Sequence, residues 1–558
     1  MARSHQIKDV SFFFLISLGL IFLVDFAAGE RTIPPGALKI GTLEKHFKQI
    51  TVIIRPNYRR KPRDIDRLIK EFKKLAIPPQ EESVYKVGSE HLGTWVVVVN
   101  TFQDLKNPKD LIPKEIFELM DALLEEHNDF GVQGDPAPPW LSPLVNALSN
   151  DEWRQMHMGL GNVNKKNKRG PGTENKEEPI SKARFGDDLS EADIEPVRSD
   201  FIENLIISQP PDTSIKKMKG ITYRERDAGS GVVAYVMDSG LDFSHKHFDN
   251  YRNQFTSPSS LSWLYAGPMP SDEKSDDGRP FIGFGDNEPA RKLFYTGTIT
   301  ASKIIGETGI APSADLVAVK LQTGRNSYSF TNVLDCLLKI FDHFKFLKEL
   351  DRDNELNYKG AVIIAAAGSN QQGYDKQAMD NFGKLIMEIL FQLGNLNAYT
   401  FFSGLPGMET TARFPRTYLT VMKFSPGFRN FLEKTSFVGS TDAKGKIHPD
   451  RGILRPKFFA PGTVSAPWVY DHYRGNEKKL PYISQTTTRY ASAMAAGVCA
   501  ALISRGWKDP LQRMDELSYQ RKDDDDYPKV IWNGINRSAW AKALHNYPIT
   551  PKESGTSR

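Results

Sequence analysis

The chain of 558 residues has only two cysteines, Cys336 and Cys499, a scarcity that excludes a disulfide-built scaffold. Both fall on apolar helical patterns, so two buried free thiols are expected rather than a bridge. Charge of one sign is also in short supply. Lys and Arg number 73 and Asp and Glu 68, leaving a formal +5, too little over this length to imply a nucleic-acid partner. Beyond residue 30 no apolar run approaches the ~20 residues that cross a bilayer, so no membrane association is expected of the mature chain. No cofactor is expected and no metal-ligand set can be placed. The acidic run Asp523–Asp526 reads as a solvated loop, because consecutive carboxylates cannot all point inward.

The N-terminus carries the one marked apolar stretch. MARSHQIKDV supplies basic residues, SFFFLISLGLIFLV is apolar, and small residues follow at Ala27 and Gly29. This order predicts a signal peptide over 1–29 and a secreted, extracellular product. Residues 35–150 alternate strand and helix patterns (ITVIIRP, RDIDRLIKEFKKLAI, TWVVVVNTF, KEIFELMDALLEEH), which predicts a small α+β domain. Residues 161–200 lack apolar periodicity and are dense in Lys, Asn, Glu and Gly, as in a flexible charged linker with a dibasic pair at Lys168-Arg169. A sequon, Asn536-Arg537-Ser538, suits a secreted chain.

From about residue 205 the pattern becomes α/β. GVVAYVMDSG, ADLVAVKLQ, AVIIAAAG, YLTVMKF and KFFAPG read as strands, and TNVLDCLLKIFDHFKFLKEL as a long helix with Thr331 as its cap. Near-continuous apolar strands between helices predict a mostly parallel sheet covered on both faces.

Six stretches in one order resemble the subtilases, the subtilisin-like serine proteases. VVAYVMDSGLDFSHKHFD resembles the aspartate motif, and GIAPSADLVAVK the strand after the histidine helix. AVIIAAAG resembles the strand before the oxyanion asparagine. TARFPRTYLTVM and RPKFFAPG resemble two further segments. RYASAMAAGVCAALIS resembles the helix that starts with the nucleophile. The resemblance implies a subtilisin-like domain over 205–545 and makes 35–150 similar to an inhibitory propeptide. It also implies a peptidase chemistry: a serine attacks a peptide carbonyl, a histidine takes its proton, an aspartate orients the histidine, and an asparagine stabilises the oxyanion.

The residues present depart from that pattern. Asp238 matches the aspartate. The His-Gly-Thr-His stretch is matched by Thr296-Gly297-Thr298-Ile299, so the base position is Thr296. Ser369 stands at the oxyanion position, with Asn370 one residue late. The family's serine precedes a packing glycine by eight residues, and counting back from Gly497 gives Arg489, with Thr487 at a glycine place and Ala493 at a proline place. Threonine has no nitrogen that titrates near neutrality, and arginine stays protonated. Ser492, His245 and His247 are the nearby substitutes; Ser492 reads as a packing residue and the histidines as structural.

Four expectations follow. Proteolysis is lost. Arg489 pairs with Asp238, joined by the Thr296 hydroxyl, because Asp238 without histidine would be a buried unpaired carboxylate. The 35–150 domain stays attached unless another protease cuts the linker. A polypeptide or a protease partner is bound in the groove. The competing expectations are an active serine-type endopeptidase with displaced catalytic groups, and a folding assistant or inhibitor acting through the 35–150 domain.

Overall fold

The structure is a computed structural model that describes residues 16–19, 45–54, 84–89, 94–104 and, with gaps, 194–536. A nine-stranded sheet forms its centre. In chain order the strands are β1 (Val232–Asp238), β2 (Leu261–Tyr265), β3 (Asp315–Lys320), β4 (Gly360–Ala365), β5 (Ala398–Ser403), β6 (Thr435–Thr441), β7 (Phe458–Pro461), β8 (Tyr519–Gln520) and β9 (Lys529–Val530). Across the sheet they run β8-β9-β7-β6-β5-β4-β1-β3-β2, and all neighbours are parallel except the edge pair of β8 with β9. This is the mostly parallel α/β arrangement that the apolar strands predict.

The reason is legible in β1. Val233, Tyr235 and Met237 enter one core, beside the helices α1 (Phe330–Leu350) and α2 (Lys376–Asn395). Val232, Ala234 and Val236 enter the other, beside α3 (Thr488–Ser504) and α4 (Pro510–Leu517). Alternate side chains leave opposite faces of a strand, so a strand covered on both faces must be apolar throughout. The two cysteines divide the same way. Cys336 lies in the α1 core and Cys499 in the α3 core; both are free, and burial pushes both thiols up from their ordinary range.

Helix α3 is buried almost all round. Its small side chains let it lie flat on the sheet, and at Gly497 an added Cβ would sit 3.0 Å from Ile310 Cβ. Thr487 caps its start, accepting a 3.4 Å hydrogen bond from the Arg489 amide.

The remaining expectations meet the structure unevenly. In the N-terminal part, Ile16–Gly19, Lys45–Ile54, Thr94–Asp104 and Val84–Ser89 form one antiparallel sheet in that order. Residues 16–19 of the expected signal peptide are therefore a strand paired with Lys45–Ile54. Fully buried Ser89, at the end of that sheet, donates a short hydrogen bond to the Asp342 carboxylate on α1. The two helices expected within 35–150, nearly all of YLTVMKF and Asp523–Asp526 lie outside the described residues.

Three differences have physical causes. Ile194–Arg198, inside the stretch read as a linker, is a strand paired with Ile221–Glu225, and Ile194 is buried against Leu205, Met218, Tyr223 and Ile535. Its short pattern is stabilised by pairing rather than by local periodicity. Helix α1 begins at Phe330, so Thr331 lies within its first turn instead of capping it. Helices α2 and α4 and strands β2, β5, β6, β8 and β9 have no counterpart in the sequence reading; β6, TSFVGST, is rich in hydroxyls and owes its burial to neighbours on both sides.

Candidate functional site

The site lies at the C-terminal edge of the parallel sheet, where β1 ends in Asp238. Burial leaves Asp238 1% exposed, so its carboxylate must find its donors inside the protein. Its Oδ1 accepts from Thr296 Oγ1 at 2.8 Å and from Arg489 Nη1 at 3.2 Å. Its Oδ2 lies 3.3 Å from Thr300 Oγ1 and 3.4 Å from the same Nη1. The expected ion pair, joined by the Thr296 hydroxyl, is present.

Each partner is delivered by a local feature. Thr296 opens a helical segment over 296–302 that runs against the turn following Asp238. That approach depends on Gly297, where an added Cβ would come within 1.9 Å of the Gly240 carbonyl oxygen. Thr300 stands one turn further along, on the same helix face as Thr296. Its hydroxyl also lies 2.8 Å from the Thr296 carbonyl and has a single proton, so the shorter bond competes with the one to Asp238. Arg489 comes from the first turn of α3. The next residue, Tyr490, is buried against Ile299 and Val464, which anchors the helix start; burial raises its phenol above the ordinary range.

The 296–302 segment is anchored from behind by a pair that sequence reasoning missed. Lys303 is 2% exposed and donates to Glu203 Oε1 at 2.9 Å and to the Ser465 carbonyl at 2.6 Å. The Ser465 amide donates to the same Glu203 oxygen at 2.8 Å. Three distant segments therefore meet at one buried ion pair, and each charge there is compensated by neutral backbone as well as by its partner. A lysine beside an apolar run gives no local sign of this, because both partners lie more than 90 residues away.

The substitute residues behave as structural groups. Ser492 is fully buried, and its hydroxyl donates back to the Arg489 carbonyl at 2.7 Å. His247 is buried, with Nδ1 3.2 Å from the Tyr482 hydroxyl and Nε2 3.2 Å from the Ser302 carbonyl. His245 lies outside the described residues. Ser369 and Asn370 form a two-residue strand paired with Arg413–Phe414; their side chains are outside the description. The structure thus brings Asp238, Thr296 and Arg489 together, adds Thr300, and fixes the backbone of Ser369. Among the described residues no cluster of His, Cys, Asp and Glu is suited to a metal ion.

Chemically, this arrangement holds a charge in place. The carboxylate that would orient a base is occupied by two hydroxyls and a guanidinium. None of these three partners, Thr296, Thr300 and Arg489, can accept a proton near neutrality. A cavity of about 870 Å³ lies at the other end of α3, around Arg505 and Trp507, remote from this chemistry.

The described residues form an α/β protein with a mostly parallel sheet, and the site lies at the C-terminal edge of that sheet. Comparison with protein-family profiles finds no match. Among curated proteins, a subtilisin-like protease of Coccidioides posadasii is 25% identical over 175 residues, which is 31% of this chain and 33% of that protein. Subtilisin-like protease 2 of Arthroderma otae is 26% identical over 172 residues, 30% of this chain and 32% of that protein. The matches therefore span about a third of the length of these relatives. Among solved structures, a cold-adapted subtilisin-like serine proteinase aligns with 60% of this chain and 98% of its own, at 16% identity and a TM-score of 0.38. The prenylagaramide maturation protease PagA aligns over 58% and 96%, at 17% identity and a TM-score of 0.33. The chain is a relative of the subtilisin-like proteases, at low identity and over part of its length. Among the described residues no helix is long and apolar enough to cross a membrane.

Proposed function

We propose that this protein is a secreted subtilisin-like pseudoprotease, which keeps the fold and groove of a peptidase while lacking proteolysis, and which binds extended peptides or a protease partner. The observation that carries the reading is the engagement of Asp238 by Arg489, Thr296 and Thr300. Acyl transfer needs a nucleophile that can be deprotonated and a base to receive the proton. A permanent cation at the first position and a threonine at the second supply neither. Loss of nucleophile or base alone costs about 10⁶ in kcat in a measured protease of this kind. Peptide binding by strand addition uses backbone donors and acceptors and does not require the triad.

The domain over 35–150 stays attached in this reading, because a chain without proteolysis does not cut itself. The contact between Ser89, at the end of strand Val84–Ser89, and Asp342 on α1 supports this reading. The test is labelling of the purified protein by a fluorophosphonate, together with its mass. The expected result is no labelling and no self-maturation in a protease-deficient host. Labelling that is abolished by changing one serine would establish the competing reading of an active enzyme with displaced groups. Ser492, back-bonded to the Arg489 carbonyl, offers that reading no support.

A further inference from the structure

We infer that the cavity at the far end of α3 is a second binding site, and that it takes a small organic polyanion bearing carboxylate or phosphate groups. The inference is independent of the reading of the pseudo-active site. Helix Thr488–Ser504 rises about 1.5 Å per residue, which sets its two ends about 25 Å apart. The volume of about 870 Å³ is that of a small-molecule site and leaves room for an organic body beside the charged groups.

The cavity is made by the way α3 ends. Gly506 takes a φ of 85°, its amide donates back to the Ile503 carbonyl at 2.8 Å, and the Trp507 amide donates to the Leu502 carbonyl at 3.2 Å. This left-handed reversal leads the chain towards α4 and brings Arg505, Trp507 and Lys508 to one cavity. Helix α4 adds Arg513. The Arg513 guanidinium lies over the Trp507 ring, 4.6 Å from its centre, which holds it in place.

The sign of the ligand follows from which hydrogen-bonding groups are already used. A helix C-terminus by itself attracts cations. Here its carbonyls are taken: Ser504 accepts from Lys359 Nζ at 2.5 Å, and Leu502 and Ile503 accept within the reversal. Three lining carboxylates are engaged as well. Glu225 pairs with Arg505, Glu516 pairs with Arg513 at 3.0 Å, and Asp509 accepts from the Gln512 amide at 2.9 Å as the cap of α4. What remains is mostly donor. Arg505 gives only Nη2, to Glu225 and to the Asn533 carbonyl, and its buried Nε has no acceptor. Arg513 gives only Nη1, to Glu516.

Both arginine side chains are largely dry, 16% and 12% exposed. Burial, and after it the charge of Arg513, pull the Arg505 guanidinium down to about 10, so two cations oppose each other at this cavity. An oxyanion between them accepts from donors that neither now uses and relieves the repulsion. Lys508, exposed at the same cavity, adds a third positive charge, which is why the ligand carries more than one negative charge. Asp227, on the exposed turn before β1, is the lining carboxylate that works against an anion.

The experiment uses the full-length protein at fixed ionic strength, with citrate and fructose bisphosphate as anionic probes and spermidine as the cationic control. Binding is followed by calorimetry and by Trp507 fluorescence, taken as the difference between the protein and W507F. Saturable binding of an anion and none of spermidine is expected, and the tighter of the two anions names the oxyanion. R513Q leaves the Arg505–Glu225 pair in place and should weaken binding about tenfold. K508Q should weaken it less, and D227N should tighten it. These two positions are exposed, so their arms do not depend on whether R513Q folds. Saturable binding of neither anion, or tighter binding of spermidine, would overturn the inference. Anion binding that R513Q, K508Q and D227N all leave unchanged would place it elsewhere and overturn the assignment to this cavity.

Discussion

Arg489 reaches across 251 residues of sequence to place one guanidinium nitrogen 3.2 and 3.4 Å from the two oxygens of Asp238. The pair is asymmetric: its carboxylate is dry and its guanidinium is partly wet. A fully buried pair costs about 3–5 kcal/mol when one partner is removed, and an exposed one about 0–1 kcal/mol. R489A should therefore destabilise the protein by about 2 kcal/mol in urea unfolding, and D238N/R489A should recover much of that loss. A loss in R489A indistinguishable from a surface substitution would mean that Asp238 does not need this partner.

The Lys303–Glu203 pair lies at the other limit, with side chains 1% and 0% exposed. Replacing Lys303 by Met leaves a carboxylate buried without its cation, and the expected cost is about 3–5 kcal/mol. K303M/E203M should be more stable than K303M alone, since two apolar groups of similar volume replace two charges. Thermal unfolding of both variants decides this. A double variant no better than K303M would show that the Ser465 contacts, rather than the charges, hold the three segments together.

How much of this was legible beforehand depends on the range of the interaction. β1 announces itself because burial on both faces forces seven apolar or terminal residues in a row. Asp238 follows because it ends that strand, and Arg489 because a fixed distance separates it from Gly497. Thr300 was missed although helical spacing from Thr296 would have indicated it. Lys303, Glu203 and Ser465 were not legible at all, since nothing within a local window says which lysine will meet which glutamate. The same holds for Ile194–Arg198, whose partner strand is a separate segment.

Acid should weaken the fold through His343. Its Nδ1 accepts a 2.8 Å hydrogen bond from the Tyr235 hydroxyl, whose proton is held firmly because burial raises the phenol. Burial lowers the imidazole from 6.5 to about 4. The folded state therefore keeps His343 neutral over a range in which the unfolded chain binds a proton. Its contribution is complete above pH 6.5, falls as the pH drops towards 4, and amounts to about 3 kcal/mol across that window. H343F, which fills the space without titrating, should flatten the stability profile between pH 6.5 and 4. An unchanged slope would assign the acid sensitivity to other groups.

Restoration of chemistry should require two changes at once. R489S alone supplies a hydroxyl at the helix start, but Thr296 cannot take its proton, and Asp238 loses the cation that now neutralises it. T296H alone supplies a base on the segment beside Asp238, with no nucleophile to serve. Each single variant should stay unlabelled by a fluorophosphonate. T296H/R489S should react, because Gly297 keeps the 296–302 segment close enough to the Asp238 turn for a histidine to be oriented by the carboxylate. Adding S369N should raise the labelling rate further, by a factor on the order of 10², if an amide at that position reaches the developing oxyanion. Labelling by R489S alone would show that a base other than residue 296 serves this edge of the sheet. Silence from the double variant, with the fold intact by circular dichroism, would show that the losses at this site extend beyond the two positions that face Asp238.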